Sequence, residues 1–218
     1  MRTIGTIVRG GLALLALACL AAPSHAQGIR ARQNIEYRLI APQPVETGDR
    51  IEVIDFFWYG CPACNALQPE LEAWIKRKPP DVALRRVPAI LSDSWAPHVR
   101  IYYALERLGE VERLHLKVYD SYHIEELHLS RPDVMEQWAV RNGIDRRKWL
   151  DAYYSPEVDA KVERARTLTE AYTVQGTPSL VVDGRYLAAW DLARHDARVM
   201  TAVLEDLIRL ARQNRSVR

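Results

Sequence analysis

Two cysteines separated by a proline and an alanine, Cys61-Pro62-Ala63-Cys64, stand where an apolar run, Ile51 to Tyr59, meets a helical pattern that begins at Asn65. At a helix start this spacing puts one thiol at the exposed end and the second one turn behind it, which suits thiol–disulfide exchange. The same spacing is also half of a zinc site, so the surroundings decide between the two. If Cys61 is the N-cap, its sulfur faces the unpaired N–H groups of the first turn and the positive end of the helix dipole, and both favour thiolate. Pro62 then sits at the first helical position, where its missing N–H costs nothing. Cys64 turns inward, placed to attack a mixed disulfide held on Cys61. Stabilising the Cys61 thiolate stabilises the reduced protein, so the disulfide becomes a stronger oxidant.

Other residues bear on the same chemistry. Asp55 interrupts an otherwise apolar strand, where a carboxylate is costly to bury and its pKa should rise. Gly176-Thr177-Pro178 precedes a second apolar strand, and on its own the proline marks only a strand start. Trp58 and Tyr59 immediately precede the cysteines and either line a substrate groove or pack beneath the helix. His123 and His128, with Glu125 and Glu126 between them, lack the spacing of a helical zinc site and read as a solvated helix face. No cofactor or resident metal is expected.

The third cysteine, Cys19, lies in a segment with the form of an export signal. Arg2 and Arg9 give a basic start, Gly10 to Ala22 is apolar but too short to span a bilayer, and Ser24-His25-Ala26 fits a cleavage site. Lipidation at Cys19 is the rival, and Ala16 fits that pattern poorly. Removal of residues 1–26 leaves Cys61 and Cys64 as the only thiols. A lone, closely spaced pair in an exported chain reads as redox-active, because a structural disulfide gains most by closing a long loop. The two arginines of the signal account for the whole formal excess charge of +2, so the remainder is neutral and shows no preference for nucleic acid.

Periodicity and chain breakers order the elements that must hold these residues. A short edge strand at Glu36 to Ile40 is followed by a strand from Ile51 to Trp58. A helix from Pro62 to Arg77 carries Pro69, which predicts a kink. A strand follows at Val82 to Ile90. Helical patterns run over Pro97–Leu108, Val111–Ser121, Val134–Arg141, Arg146–Tyr154 and from Ser155 to about Tyr172. Their aromatic residues, among them Tyr102, Tyr103, Tyr119, Trp138 and Trp149, read as the core of a helical block. Ser179 to Val182 and Arg185 to Leu187 form a hairpin about Asp183-Gly184, and Asp196 to Arg212 is a final amphipathic helix.

The C-x-x-C after an apolar strand, Asp55 six residues before it, Pro69 inside the helix and Gly176-Thr177-Pro178 before a late hairpin together resemble the thioredoxin fold. The helical block between the second and third core strands resembles the DsbA branch of exported thiol oxidoreductases. The resemblance covers Glu36 to the final helix. It implies an α/β thioredoxin fold with an inserted helical subdomain: a signal peptide at 1–26, a thioredoxin-like domain at 27–91 and 165–218, and the insertion at 92–164. It implies a soluble periplasmic enzyme that donates its Cys61–Cys64 disulfide to reduced exported proteins; with no heptad seam or dimerisation domain before Tyr37, a monomer is expected. A membrane quinone-linked partner of the DsbB type would reoxidise it. It further implies that Asp55 lies behind Cys64 and shuttles its proton. It implies a cis peptide at Pro178, with Gly176 and Thr177 offering backbone to a substrate strand. The best-known sites of this type carry histidine where this chain has Ala63, which offers neither donor nor charge to Cys61. That departure keeps open an exported reductase, for example in cytochrome c maturation. A copper or zinc chaperone using Cys61, Cys64 and a histidine is the reading from another class.

Overall fold

A computed structural model describes residues 30–216. The signal segment and Cys19 lie outside the described residues. At its centre is a five-stranded mixed sheet in the order β1-β5-β4-β2-β3. Strand β2 (Ile51–Phe57) is buried at every position, as its continuous apolar character requires. It pairs parallel with β3 (Val82–Pro88) and antiparallel with β4 (Ser179–Val182). Strand β5 (Tyr186–Ala189) returns from β4, and β1 (Arg38–Leu39) closes the edge beside it. The β4–β5 turn has left-handed backbone at both Asp183 and Gly184. A Cβ at Gly184 would also meet the Gln43 carbonyl oxygen at 2.3 Å, so glycine is required there on both counts.

Helices cover both faces of the sheet. On one face α1 (Pro62–Arg77) and α7 (Ala197–Ser216) bury Leu67, Leu71, Trp74, Leu204 and Leu207 against Val53 and Val182. On the other lie the helices between β3 and β4: α2 (Ala96–Arg107), α3 (Val111–His123), α4 (Pro132–Arg141), α5 (Arg146–Tyr153) and α6 (Pro156–Ala171). A 3-10 turn, Asp93–Trp95, leads into them. Their core includes Ile101, Leu105, Tyr119, Trp138 and Trp149, which meets Phe56 and Val181 of the sheet. Helix starts follow side-chain chemistry: Asp145 and Ser155 accept backbone N–H bonds at the heads of α5 and α6, and Pro156 takes the first helical position of α6.

The observed elements depart from the sequence reading mainly at their ends. Helix α1 keeps its expected bounds and runs through Pro69 to Arg77. Helix α7 runs past Arg212 because its last turn is anchored: Arg215 pairs with Asp183, and Asn214 Nδ2 donates to the Tyr186 hydroxyl at 2.5 Å. Helix α6 is unbroken through residues 164 and 165, where the sequence reading divides insertion from returning domain. No glycine or proline interrupts it there.

Candidate active site

Cys61 is the N-cap of α1, with φ −88° and ψ 116°, and Pro62 occupies the first turn. The Cys64 backbone N–H donates to Cys61 Sγ at 3.3 Å. Both thiols are free, so the structure is that of the reduced dithiol. The Cys61 thiol is lowered to about 6, chiefly by the hydrogen bond from the Cys64 side chain. Burial opposes this, and a bond from Thr177 and the backbone N–H groups of Cys64 and Ala63 reinforce it. Burial pushes the Cys64 thiol well above its ordinary value, and the neighbouring Cys61 adds to that. One sulfur is therefore a thiolate at neutral pH and the other a thiol, the division that directional exchange needs. The expected contrast in exposure is small: Cys61 is 8% accessible and Cys64 is not accessible at all. Cys61 is approached through a narrow opening because the loop before β4 covers it, its Sγ 3.2 Å from the Thr177 carbonyl oxygen.

The Thr177–Pro178 peptide is cis. Gly176 is exposed, Thr177 half-buried and Pro178 buried. A cleft of about 380 Å³ opens beside them, lined also by Leu187, Trp190 and His195. The loop that carries Thr177 thus touches the Cys61 sulfur on one side and lines the cleft on the other.

Strand β2 carries two fully buried acids, and they differ. Glu52 is satisfied: Arg85 Nε lies 3.3 Å from it and the Glu46 backbone N–H donates to it at 3.1 Å. Neither oxygen of Asp55 has a partner. Burial raises the Asp55 carboxyl to about 7, with Arg86 pulling it down and Glu72 pushing it up. An unpartnered buried carboxylic acid that titrates near neutrality is poor structural material and good proton-transfer material. The buried Tyr119 hydroxyl is raised first by burial and then by charge on Cys64 and Asp55.

Two sequence expectations are corrected. Tyr59 cannot line a groove: it is 1% accessible and packs among Phe57, His115 and Tyr119, its hydroxyl 2.9 Å from His115 Nδ1. Trp58 keeps partial exposure but lies flat on Trp95, with ring centroids 4.2 Å apart. A Cβ at Gly60 would strike the Trp58 ring at 2.3 Å, so glycine gives the indole its place beside the cysteines. His123 is no solvated residue either. It is half-buried, and its Nε2–H donates to the Tyr59 carbonyl at 2.8 Å, whereas Glu125, Glu126 and His128 are exposed beyond the helix end. Sequence reasoning missed His98, His115, Glu72 and Arg86. His98 is 2% accessible, lies against Trp58 and is lowered to about 4 by burial and then by His123. His115 and His123 share the inward stripe of α3 with Tyr119, spaced four residues to either side, and that periodicity was available in the sequence.

Comparisons with known proteins agree with this geometry. Residues 81–199 match the model of the DSBA-like thioredoxin domain. The chain is 36% identical over 206 residues to the thiol:disulfide interchange protein DsbA of Bordetella parapertussis, covering 94% of this chain and 96% of that protein. The crystal structure of Pseudomonas aeruginosa DsbA superposes with a TM-score of 0.79 at 32% identity, covering 83% of this chain and 94% of that one. Reduced DsbA1 from Neisseria meningitidis gives 0.75 at 25% identity, covering 86% and 98%. The family match begins after the cysteines, but the alignment to the Bordetella protein covers 94% of this chain and 96% of that protein: the chain belongs to the DsbA-like family of the thioredoxin superfamily.

Proposed function

We propose that this protein is a thiol:disulfide oxidoreductase that introduces disulfides into exported proteins through Cys61 and Cys64. The observation that carries the reading is the N-capping Cys61 sulfur, lowered to about 6 beside a buried Cys64 thiol that is raised. A substrate thiolate attacks Cys61 of the enzyme disulfide. The Cys61–Cys64 bond breaks, Cys64 leaves as thiolate and takes up a proton, and substrate is held on Cys61. A second substrate thiolate attacks the substrate sulfur and expels Cys61, an easy leaving group because its thiolate is stabilised. Two electrons pass from substrate to enzyme. Reoxidation runs the other way: Cys61 thiolate attacks the oxidant's disulfide, and Cys64, deprotonated by Asp55, displaces it and restores the enzyme disulfide.

Gly176 and Thr177 offer backbone for β-type pairing with an extended substrate segment, and the cleft beside Pro178 takes its side chains. Trp58 borders this approach. The protein acts as a monomer in the periplasm, released from a signal peptide at residues 1–26, on reduced exported proteins. A membrane quinone-linked protein of the DsbB type reoxidises it. The basic, apolar and small-residue segments of residues 1–26 support the export step. The direct test mixes the oxidised protein with a reduced two-cysteine peptide. One equivalent of peptide disulfide should form per enzyme disulfide consumed, and a protein that leaves the peptide reduced would refute the reading.

Ala63 should temper the oxidant. Ala63→His adds a donor toward the Cys61 sulfur, an interaction that exists only in the reduced form. A charge-assisted hydrogen bond of about 1–2 kcal/mol corresponds to a shift of roughly 20–45 mV toward oxidising potential. Titration against glutathione measures it. No shift, or a shift in the reducing direction, would mean that the N-cap thiolate does not control the potential.

A further inference from the structure

Asp55 and Arg86 are register partners on the parallel strands β2 and β3, so their side chains leave the sheet on the same side. Arg86 is only 10% accessible and stands beside an unpartnered buried acid, yet no ion pair joins them. Its guanidinium is committed elsewhere: Nη2 donates to Glu72 Oε1 at 2.5 Å, while Nε is buried without a partner. Glu72 projects from α1, eight residues beyond Cys64 and about 80° round the helix from it. Among the described residues the other carboxylate that ion-pairs with Arg86 is Glu112 of α3, 4.0 Å away and 93% accessible, where water screens it. Tyr102 of α2 and Tyr119 of α3 feel the charge of Asp55, Tyr59 and His115 feel that of Arg86, and burial keeps all four neutral.

We propose that Glu72 is a positioning residue that holds the Arg86 guanidinium off Asp55 and thereby sets the pH range in which Asp55 exchanges protons with Cys64. This rests on the reading of Asp55 as the proton acceptor. The sign follows from charge. With Glu72 in place, Arg86 and Glu72 present a neutral pair to Asp55. Without the Glu72 charge Arg86 is a bare cation beside a carboxyl in a low-dielectric site, which favours carboxylate. Asp55 then ionises at lower pH and becomes a weaker base. A merely structural ion pair would change stability and leave that titration in place.

The experiment is an NMR titration of the Asp55 side-chain carboxyl in the reduced full chain, comparing wild type with Glu72→Gln. Glutamine keeps the shape and loses the charge. The midpoint near 7 in the wild type should fall by about 1–3 pH units. Glu72→Ala should act in the same direction, Arg86→Met should raise the midpoint, and Glu112→Gln should leave it in place. An unmoved midpoint in both Glu72 variants, or an equal fall in Glu112→Gln, would overturn the assignment. The titration reads Asp55 itself, so it answers whether or not the exchange step depends on that residue. The pH limb of mixed-disulfide release should move with the midpoint. A moved midpoint with an unmoved limb would uphold the control of Asp55 by Glu72 and defeat the acceptor reading instead.

Discussion

Replacing Cys64 with serine leaves a protein that captures its partner and cannot complete the exchange. Reduced Cys64→Ser protein retains the Cys61 sulfur at the N-cap, so attack on a peptide disulfide should proceed. No second sulfur then displaces the peptide, and the mixed disulfide accumulates to one equivalent while turnover falls to background. Cys61→Ser should behave differently. Cys64 has no accessible surface and its thiol is raised well above the ordinary value by burial and then by Cys61. Little thiolate and no access mean no adduct. Mass spectrometry of the two variants after mixing separates these outcomes. Adducts on Cys64 in Cys61→Ser, or sustained turnover in Cys64→Ser, would reverse the assigned roles.

Asp55→Asn should slow release from the mixed disulfide at neutral pH by roughly 100-fold, the low end of what a general base contributes, and leave its formation close to wild type. Formation uses the Cys61 thiolate, which is already ionised; release uses Cys64, which must first lose its proton. The pH dependence fixes the sign. Asp55 accepts a proton only when ionised, so the wild-type release rate should climb as pH rises through about 7, and the variant should lack that limb. Stability moves the opposite way. The folded-state value is raised from 3.8 to about 7, so the contribution of Asp55 is fully present below its ordinary value and is lost as pH rises through about 7. The variant should therefore be the more stable protein above that pH, in urea as in heat. Stopped-flow kinetics with a peptide disulfide resolves the two steps, and equal slowing of both would reduce Asp55 to a structural part.

Much of this site is local in sequence and so legible there. An N-capping cysteine, a proline behind it and a second cysteine one turn on form within four residues, and the strand before them announces its burial by composition. The hairpin at Asp183-Gly184 is equally local. What could not be read depends on which strand lies beside which. Glu52 and Asp55 look alike as acids in one apolar strand. Only the pairing of β2 with β3, which sets Arg85 opposite Ile54 within reach of Glu52 and Arg86 opposite Asp55, and the choice of Arg86 for Glu72, make one a satisfied ion pair and the other an unpartnered acid. For Tyr59 the sequence left a groove and packing beneath the helix both open, and the choice again rests on tertiary neighbours. Adjacency to Cys61 suggested a groove, but helix α3 lies over it and both His115 and His123 hydrogen-bond to it. Helix ends drifted where tertiary anchors outweighed local propensity, as at Arg215 on Asp183.

The equilibrium redox potential of the Cys61–Cys64 couple tests the central claim most directly. A Cys61 thiol lowered to about 6 stabilises the reduced form relative to the disulfide at neutral pH. The account predicts a potential above about −200 mV in glutathione buffers at pH 7, oxidising enough to transfer the disulfide to an exported protein. A potential at or below about −220 mV, inside the range in which glutathione keeps a compartment reducing, would contradict it and make this dithiol a reductant.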